Sequence, residues 1–338
     1  MSIYIAVLFI LFISLIIANY NRLLEKPLYF FNVAILIFIY TFRDISVGVD
    51  TANYYNSFVS FDSNDVRGVE FGWMFINYIC RNWLNSFTAL QFIVSILIFT
   101  FFTKSVSIYS KNRILSLILF VILYYYFNSL NIARQILACC ICLYSLNFVK
   151  SHQIVNYIIW VLVAMSIHSS AVIMLPMYYI SKLNLPKLIL VVILLSSYMI
   201  PNYIMPILYE ALSSNELYSM YLGDLLLTRS DLSMNLLLHS IILVFILYFS
   251  KSDSIYRLLF IVGVFFTNVF SSQEVIARIG LYFKLPLVLL IPNLEWKFYS
   301  PYLRCFATPI IVVLLLVACI IMLIANDSGV CPYKIILN

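Results

Sequence analysis

The chain has 338 residues, 64% of them hydrophobic and only 10% charged, with a net charge of +6. An ordinary soluble domain is about half apolar and roughly a quarter charged, so a water-surrounded core is excluded and lipid must solvate most of this chain. The 20 basic residues are scattered between apolar segments and form no patch, which argues against a nucleic-acid partner.

At about 20 apolar residues per crossing, the pattern predicts an all-α, polytopic membrane protein with about 12 transmembrane helices, a single membrane domain over residues 1–338. The first run, "MSIYIAVLFILFISLIIANY", has no basic leader and no small-residue cleavage site, and is expected to be a retained span at 2–18. A second segment, 28–42, runs into "TFRDISVGVDTANY", where Arg43, Asp44 and Asp50 crowd into eight positions. They open a long loop at about 43–87. Within it "FGWMFINYICRNWL" (71–84) is short, carries Trp73 and Arg81, and suits an interfacial or re-entrant helix better than a span. Further apolar segments follow at 88–104, 113–128, 132–149, 153–167, 169–181 and 187–205. A second long loop covers 206–233, and the last segments lie at 234–250, 255–270, 276–292 and 305–325. The seven cysteines show neither metal-ligand nor disulfide spacing; Cys139, Cys140 and Cys142 in "ILACCICLYSL" read as small packing residues.

Orientation follows from the basic residues. With the N-terminus outside and 71–84 not crossing, the cytoplasmic side collects 12 of the 20 basic residues and only Glu25, Asp253 and Glu295 among the 14 acids. Both termini and both long loops then lie outside. The remaining ionisable residues acquire a pattern. Arg43, Asp44, Asp50 and Glu70 belong to the first outer loop, and Arg134 enters the membrane from that side. His168 sits at an outer turn, Arg229 closes the second loop, and Glu274 and Arg278 lie at another outer end.

Each residue has an ordinary explanation. An Arg near a helix end often snorkels to headgroups. Asp44 and Asp50 can cap a turn, His168 can hydrogen-bond between helices, and Lys284 can pair with a carboxylate inside the bundle. Together they suggest more. Placing one Arg in a membrane costs about 2.5–3.5 kcal/mol on insertion scales, so several at one face call for an anion, and guanidinium groups match phosphate oxygens in pairs. Arg would stabilise a departing diphosphate, while a His or carboxylate takes the proton of an attacking hydroxyl.

At these residues the chain resembles the EpsG-like group of Wzy-type polysaccharide polymerases. The resemblance runs through "FRDISVGVDTANYYNSF", "VEFGWMFINYI", "IARQILACCICLY", "SIHSSAVIMLPMYYI" and "ARIGLYF", in order over roughly 40–290. Phe71 stands where that family commonly has Pro. The resemblance implies a GT-C-like fold and a glycosyltransferase of the bacterial cytoplasmic (inner) membrane with its active site facing the periplasm. Its substrate would be an undecaprenyl-diphosphate-linked oligosaccharide, its partners the lipid bilayer and a chain-length regulator protein, with no cofactor and no metal. Carried over by position, the implied catalytic residues are His168, Asp50, Arg134 and Arg278; those for substrate binding are Arg43, Thr51, Glu70, Gln135 and Tyr282, with Arg229 added from the charge pattern. Two other classes compete: a flippase or transporter of lipid-linked oligosaccharide, which should carry ionisable residues at the bilayer midplane, and an O-antigen-ligase-type transferase, which differs only in its acceptor.

Overall fold

The computed structural model describes residues 1–60, 70–183, 185–200, 203, 207, 210, 234–251, 254–271, 274–326 and 328–336. They are nearly all helical and form two compact units, one of Met1–Tyr178, Ile291–Asn293 and Val312–Asn338, the other of Tyr179–Leu290 and Leu294–Ile311.

The first unit begins with α1 (Ser2–Tyr20) and α2 (Glu25–Thr41). In α1 a stripe of Tyr4, Val7, Leu11, Ser14 and Ala18 is buried, while Phe9 and Ile16 on the other face are exposed and equally apolar. A helix whose outer face is as greasy as its inner one is built for lipid. Polar ties join the helices where the chain allows them: Asn32 Nδ2 donates to Ser14 Oγ at 2.8 Å, and Tyr29 shares a 3.0 Å hydrogen bond with Thr103.

Next come α3 (Thr51–Val59) and α4 (Phe71–Ile79); the latter runs on into a single π-helical turn, Cys80–Leu84. Asn85 in the left-handed region ends that turn. Ser86 then caps α5 (Phe87–Tyr109), its hydroxyl accepting from the Ala89 N–H at 3.2 Å. The expected span at 113–128 is broken instead into α6 (Arg113–Ile122) and α7 (Tyr125–Asn131), bent by 54°. The break is Tyr124, at φ 70°, a left-handed position that costs a bulky residue about 1–2 kcal/mol. It is tolerated because Tyr124 and Tyr125 are buried in protein and the backbone N–H groups of Leu123 and Tyr124 still reach the carbonyls of Leu119 and Val121. Helix α8 (Ala133–Lys150) is the centre of the unit; Gln135 to Leu143 are all buried, and α5, α7 and α9 (Ile154–Ile167) pack around it. The segment at 169–181 forms a 3₁₀ stretch, Ser169–Met174, and the short α10 (Met177–Ile180).

The second unit contains α11 (Lys187–Met199), α12 (Met234–Phe249), α13 (Ser254–Val269), α14 (Glu274–Ala277), α15 (Gly280–Lys284) and α16 (Leu287–Leu290). A two-residue antiparallel pair, Ser250–Lys251 with Glu295–Trp296, closes it. The expected span at 276–292 is thus interrupted, one break falling at Pro286, which has no N–H to give. Helices α13 and α15 cross closely: a Cβ on Gly280 would stand 2.5 Å from Thr267 Oγ1, and one on Gly263 equally close to Lys284 Cγ. Among the described residues no carboxylate pairs with Lys284.

The last helix is α17 (Pro301–Ala325). By length and composition four helical segments can cross a membrane: α1, Arg22–Thr41, α5 and α17. The bent α6–α7 pair makes a fifth if it is one span. Of the remaining apolar segments, α8 has 18 residues but carries Arg134 and Lys150 at its ends, and the others form helices too short for a straight crossing.

After α17 the chain turns at Asn326 and runs back along the loop that follows α2. Val49 and Gly48 donate to the carbonyls of Ser328 and Gly329 at 3.2 and 2.9 Å, Asp44 N–H to Lys334 at 2.9 Å, and Ile336 N–H to Phe42 at 2.9 Å. Arg43 and Ile335 pair antiparallel. Tyr4, at the start of α1, donates to Val330 O at 3.0 Å. The beginning of α1, the Arg43 loop and segment 328–336 therefore meet at one end of the first unit.

Candidate functional site

Glu70 precedes α4 in extended conformation, and its carboxylate makes no cap to its own helix. It turns instead toward two other elements. Glu70 Oε1 accepts from the Ser169 N–H at 2.8 Å, and the Arg134 guanidinium forms an ion pair with Oε2. His168 Nδ1 lies 3.4 Å from Glu70 Oε1, at an angle that does not make a hydrogen bond. Glu70 thus ties α4, the start of α8 and the end of α9 into one cluster. The local sequence explains how. Two residues on is Gly72, where a Cβ would stand 2.5 Å from Ser166 Oγ and 2.8 Å from Ser166 O. Only glycine lets α4 lie that close to the last turn of α9 and bring Glu70 to His168.

Arg134 is the second residue of α8, where the helix dipole disfavours a cation. Its placement is unfavourable for the helix alone and is offset by Glu70. The guanidinium carbon stands 5.8 Å from the Trp73 ring centroid, and Nε is buried without a hydrogen-bond partner. Tyr54, 5.5 Å from Trp73 between ring centroids, completes the wall on α3. Burial pushes its phenol pKa up, and the nearby Arg134 opposes that shift.

His168 caps the end of α9, at the turn before the 3₁₀ stretch. Burial first, and the Arg134 cation second, depress its pKa to about 4. At neutral pH the imidazole is therefore uncharged, and its 3.4 Å approach to Glu70 is not a salt bridge. An uncharged imidazole can accept a proton. With Nδ1 turned to Glu70, Nε2 is the nitrogen left for that task, and the carboxylate stands where it stabilises the imidazolium that results.

Asp50 stands just before α3; its N–H donates to Asn131 Oδ1 at 2.7 Å. Thr51 is fully buried, its hydroxyl within 2.7 and 2.9 Å of the carbonyls of Val47 and Leu130. Gly48, at φ +94°, makes the turn possible, since any side chain there would collide with the Leu130 carbonyl. These contacts hang the Asp50 loop on the end of α7, three residues before Arg134.

Not every residue singled out from the sequence reaches this cluster. Arg43 is 2% exposed; its guanidinium lies 4.0 Å from the Tyr40 ring centroid and donates to Tyr40 O at 2.6 Å. Among the described residues no carboxylate pairs with it. Its cation instead lowers the burial-driven rise of the Tyr333 phenol, which is pushed up to about 12. Asp44 accepts from Ser46 N–H at 2.9 Å in a local turn, and the Ser46 hydrogen bonds hold its carboxyl below the usual range. Gln135 is buried beside Arg134. Arg278 is half-buried at the turn before α15 and Tyr282 buried within α15, both in the second unit. Arg229 lies outside the described residues, as does nearly all of the 206–233 loop. Sequence reasoning passed over Asn131, Tyr54 and Trp73, although all three stand within or beside the quoted motifs. Asn131 lies three positions before Arg134, the only signal it offered. Among the described residues no three His, Cys, Asp or Glu side chains converge as metal ligands.

The fold and the cluster define a helical membrane protein with an ionised, partly buried polar site at the ends of its helices. The EpsG family profile matches residues 26–335. The chain belongs to the EpsG family, a group associated with glycosyltransferase-like polymerases of the membrane. No curated protein and no solved structure matches the chain.

Proposed function

We propose that this protein is a Wzy-type polysaccharide polymerase that joins undecaprenyl-diphosphate-linked oligosaccharide repeat units on the periplasmic face of the cytoplasmic membrane. The observation that carries the reading is Glu70 holding Arg134 and His168 together at helix ends. A cation and an uncharged base, one carboxylate apart, are the groups a glycosyl transfer from a diphosphate needs. The acceptor hydroxyl oxygen attacks the anomeric carbon of the donor, and its proton passes to His168 Nε2. The anomeric C–O bond breaks, and both its electrons leave with the lipid diphosphate, whose growing charge the Arg134 guanidinium stabilises. Asp50 and Arg278 act on the same substrates, Asp50 near the acceptor and Arg278 on the diphosphate.

A fold of about 12 spans, GT-C-like and with both termini outside, accompanies this proposal. The pairing of segment 328–336 with residues 42–49 supports it, because two segments on one side require an even number of crossings between them. Purified protein in liposomes, given a lipid-linked repeat unit, should yield a ladder of chain lengths and free lipid diphosphate. Transport of the lipid-linked unit with no ladder would favour a flippase and refute the proposal. Transfer of the glycan only to a lipid A core would favour a ligase and refute it equally.

A further inference from the structure

Outside the cluster, the first unit carries a partly open groove of about 590 Å³ between the last turns of α2 and the first turns of α5. That volume falls within the range of small-ligand pockets. Its walls are apolar (Phe38 and Phe92 among them), with Ala34 and Ala89 leaving the space, while Thr41, Ser86 and Thr88 supply hydroxyls toward one end. Phe38, Phe42 and Phe92 are also exposed, so the groove opens on the outside of the helix bundle.

A cation is tied to the hydroxyl end through Asn85. Arg81, carried on the π turn after α4, donates from Nη1 to Asn85 Oδ1 at 3.0 Å and stands 5.7 Å from the Phe58 ring centroid. Asn85 adjoins Ser86, the residue that both caps α5 and lines the groove. Among the described residues Arg81 has no acidic partner. An apolar groove with an unpaired guanidinium at its polar end matches an amphiphile with one hydrocarbon chain and a phosphate. A single groove takes one chain, so a diacyl lipid would leave its second tail unhoused. Helix α3 links this place to the cluster: Tyr55 and Phe58 pack on Phe87 at ring centroid distances of 5.2 and 5.6 Å, while Tyr54 packs on Trp73 beside Arg134.

We propose that the α2–α5 groove holds the isoprenoid chain of a lipid-phosphate substrate, with Arg81 on its phosphate. The inference rests on the polymerase reading for the identity of the lipid. It is tested by native mass spectrometry of the full-length protein titrated with undecaprenyl phosphate, in competition with phosphatidylglycerol. Wild type should bind one undecaprenyl phosphate that phosphatidylglycerol does not displace at equal concentration. Ala89→Trp, which fills the groove, and Arg81→Gln should each weaken binding about tenfold, and Arg81→Lys should recover part of the loss. Equal displacement by phosphatidylglycerol would make the groove an ordinary lipid site and overturn the proposal. So would unchanged affinity in Arg81→Gln, which decides the matter alone if Ala89→Trp fails to insert. Binding as expected in a protein that makes no polymer would leave the groove standing and remove the polymerase reading. A normal ladder with wild-type lipid binding in both variants would remove the groove alone.

Discussion

Exchanging Glu70 for Gln keeps the shape of the side chain and its acceptor for the Ser169 N–H, but removes the negative charge. Arg134 then has no anion within reach among the described residues, at a place where its side chain is 22% exposed and Glu70's is 16% exposed. Stripping one partner from a fully buried ion pair costs about 3–5 kcal/mol; residual solvent contact brings the cost below that range, and about 2 kcal/mol of stability should go. The catalytic loss should be larger than the stability loss suggests. His168 is uncharged before the reaction and cationic in its transition state, so the Glu70 carboxylate favours the latter selectively. Losing that preference should lower kcat by about 10²-fold, in line with positioned acid–base groups. KM for the lipid-linked unit should change far less. The assay is chain extension by purified protein in liposomes, with kcat and KM measured separately and thermal unfolding followed in detergent. A Glu70→Gln variant with wild-type kcat would refute the assignment of Glu70 and His168 as a working pair.

Four further outcomes are expected. His168 has a folded pKa of about 4 against an ordinary 6.5, so between those values the unfolded chain binds a proton that the folded one does not. Stability should hold above pH 6.5 and fall as pH drops toward 4, and His168→Ala should flatten that slope in a pH series of unfolding measurements. Gly48→Ala should destabilise the Asp50 loop by about 2 kcal/mol or more, from left-handed strain plus collision with Leu130, and lower chain extension with it; an unchanged melting temperature would count against the tight turn. Arg278→Ala should abolish chain extension while the protein still inserts; a wild-type ladder would remove Arg278 from the diphosphate. Reporter fusions after residues 60 and 220 should both read as periplasmic, and a cytoplasmic signal from either would overturn the orientation.

Much of the architecture was legible because composition leaves few options: long apolar runs in a chain this poor in charge have to be helices in lipid. The boundaries were not. Nothing in "LFVILYYYFNSL" marks Tyr124 as the break between α6 and α7, since Tyr is no helix breaker and only the surrounding packing sustains its left-handed backbone. The site divides in the same way. Glu70, Arg134 and His168 stood out as ionisable residues in an apolar chain, and the structure joins them. Arg43 stood out for the same reason yet is buried among tyrosines, because a sequence records that a charge is present but not which way its side chain turns. Asn131, Tyr54 and Trp73 were missed for the converse reason: uncharged polar and aromatic residues are common in this chain, so proximity alone distinguishes them.

The return of segment 328–336 to the loop after α2 has a consequence for how the site is held. The loop that leads to Asp50 takes backbone partners from a stretch far along the chain, not from its own neighbours. Glu70, Arg134 and His168 are tied to one another without that strap. Cutting the chain before Ser328 should therefore leave the charged cluster in place and loosen the loop beside it, so that position and order within the site can be lost separately.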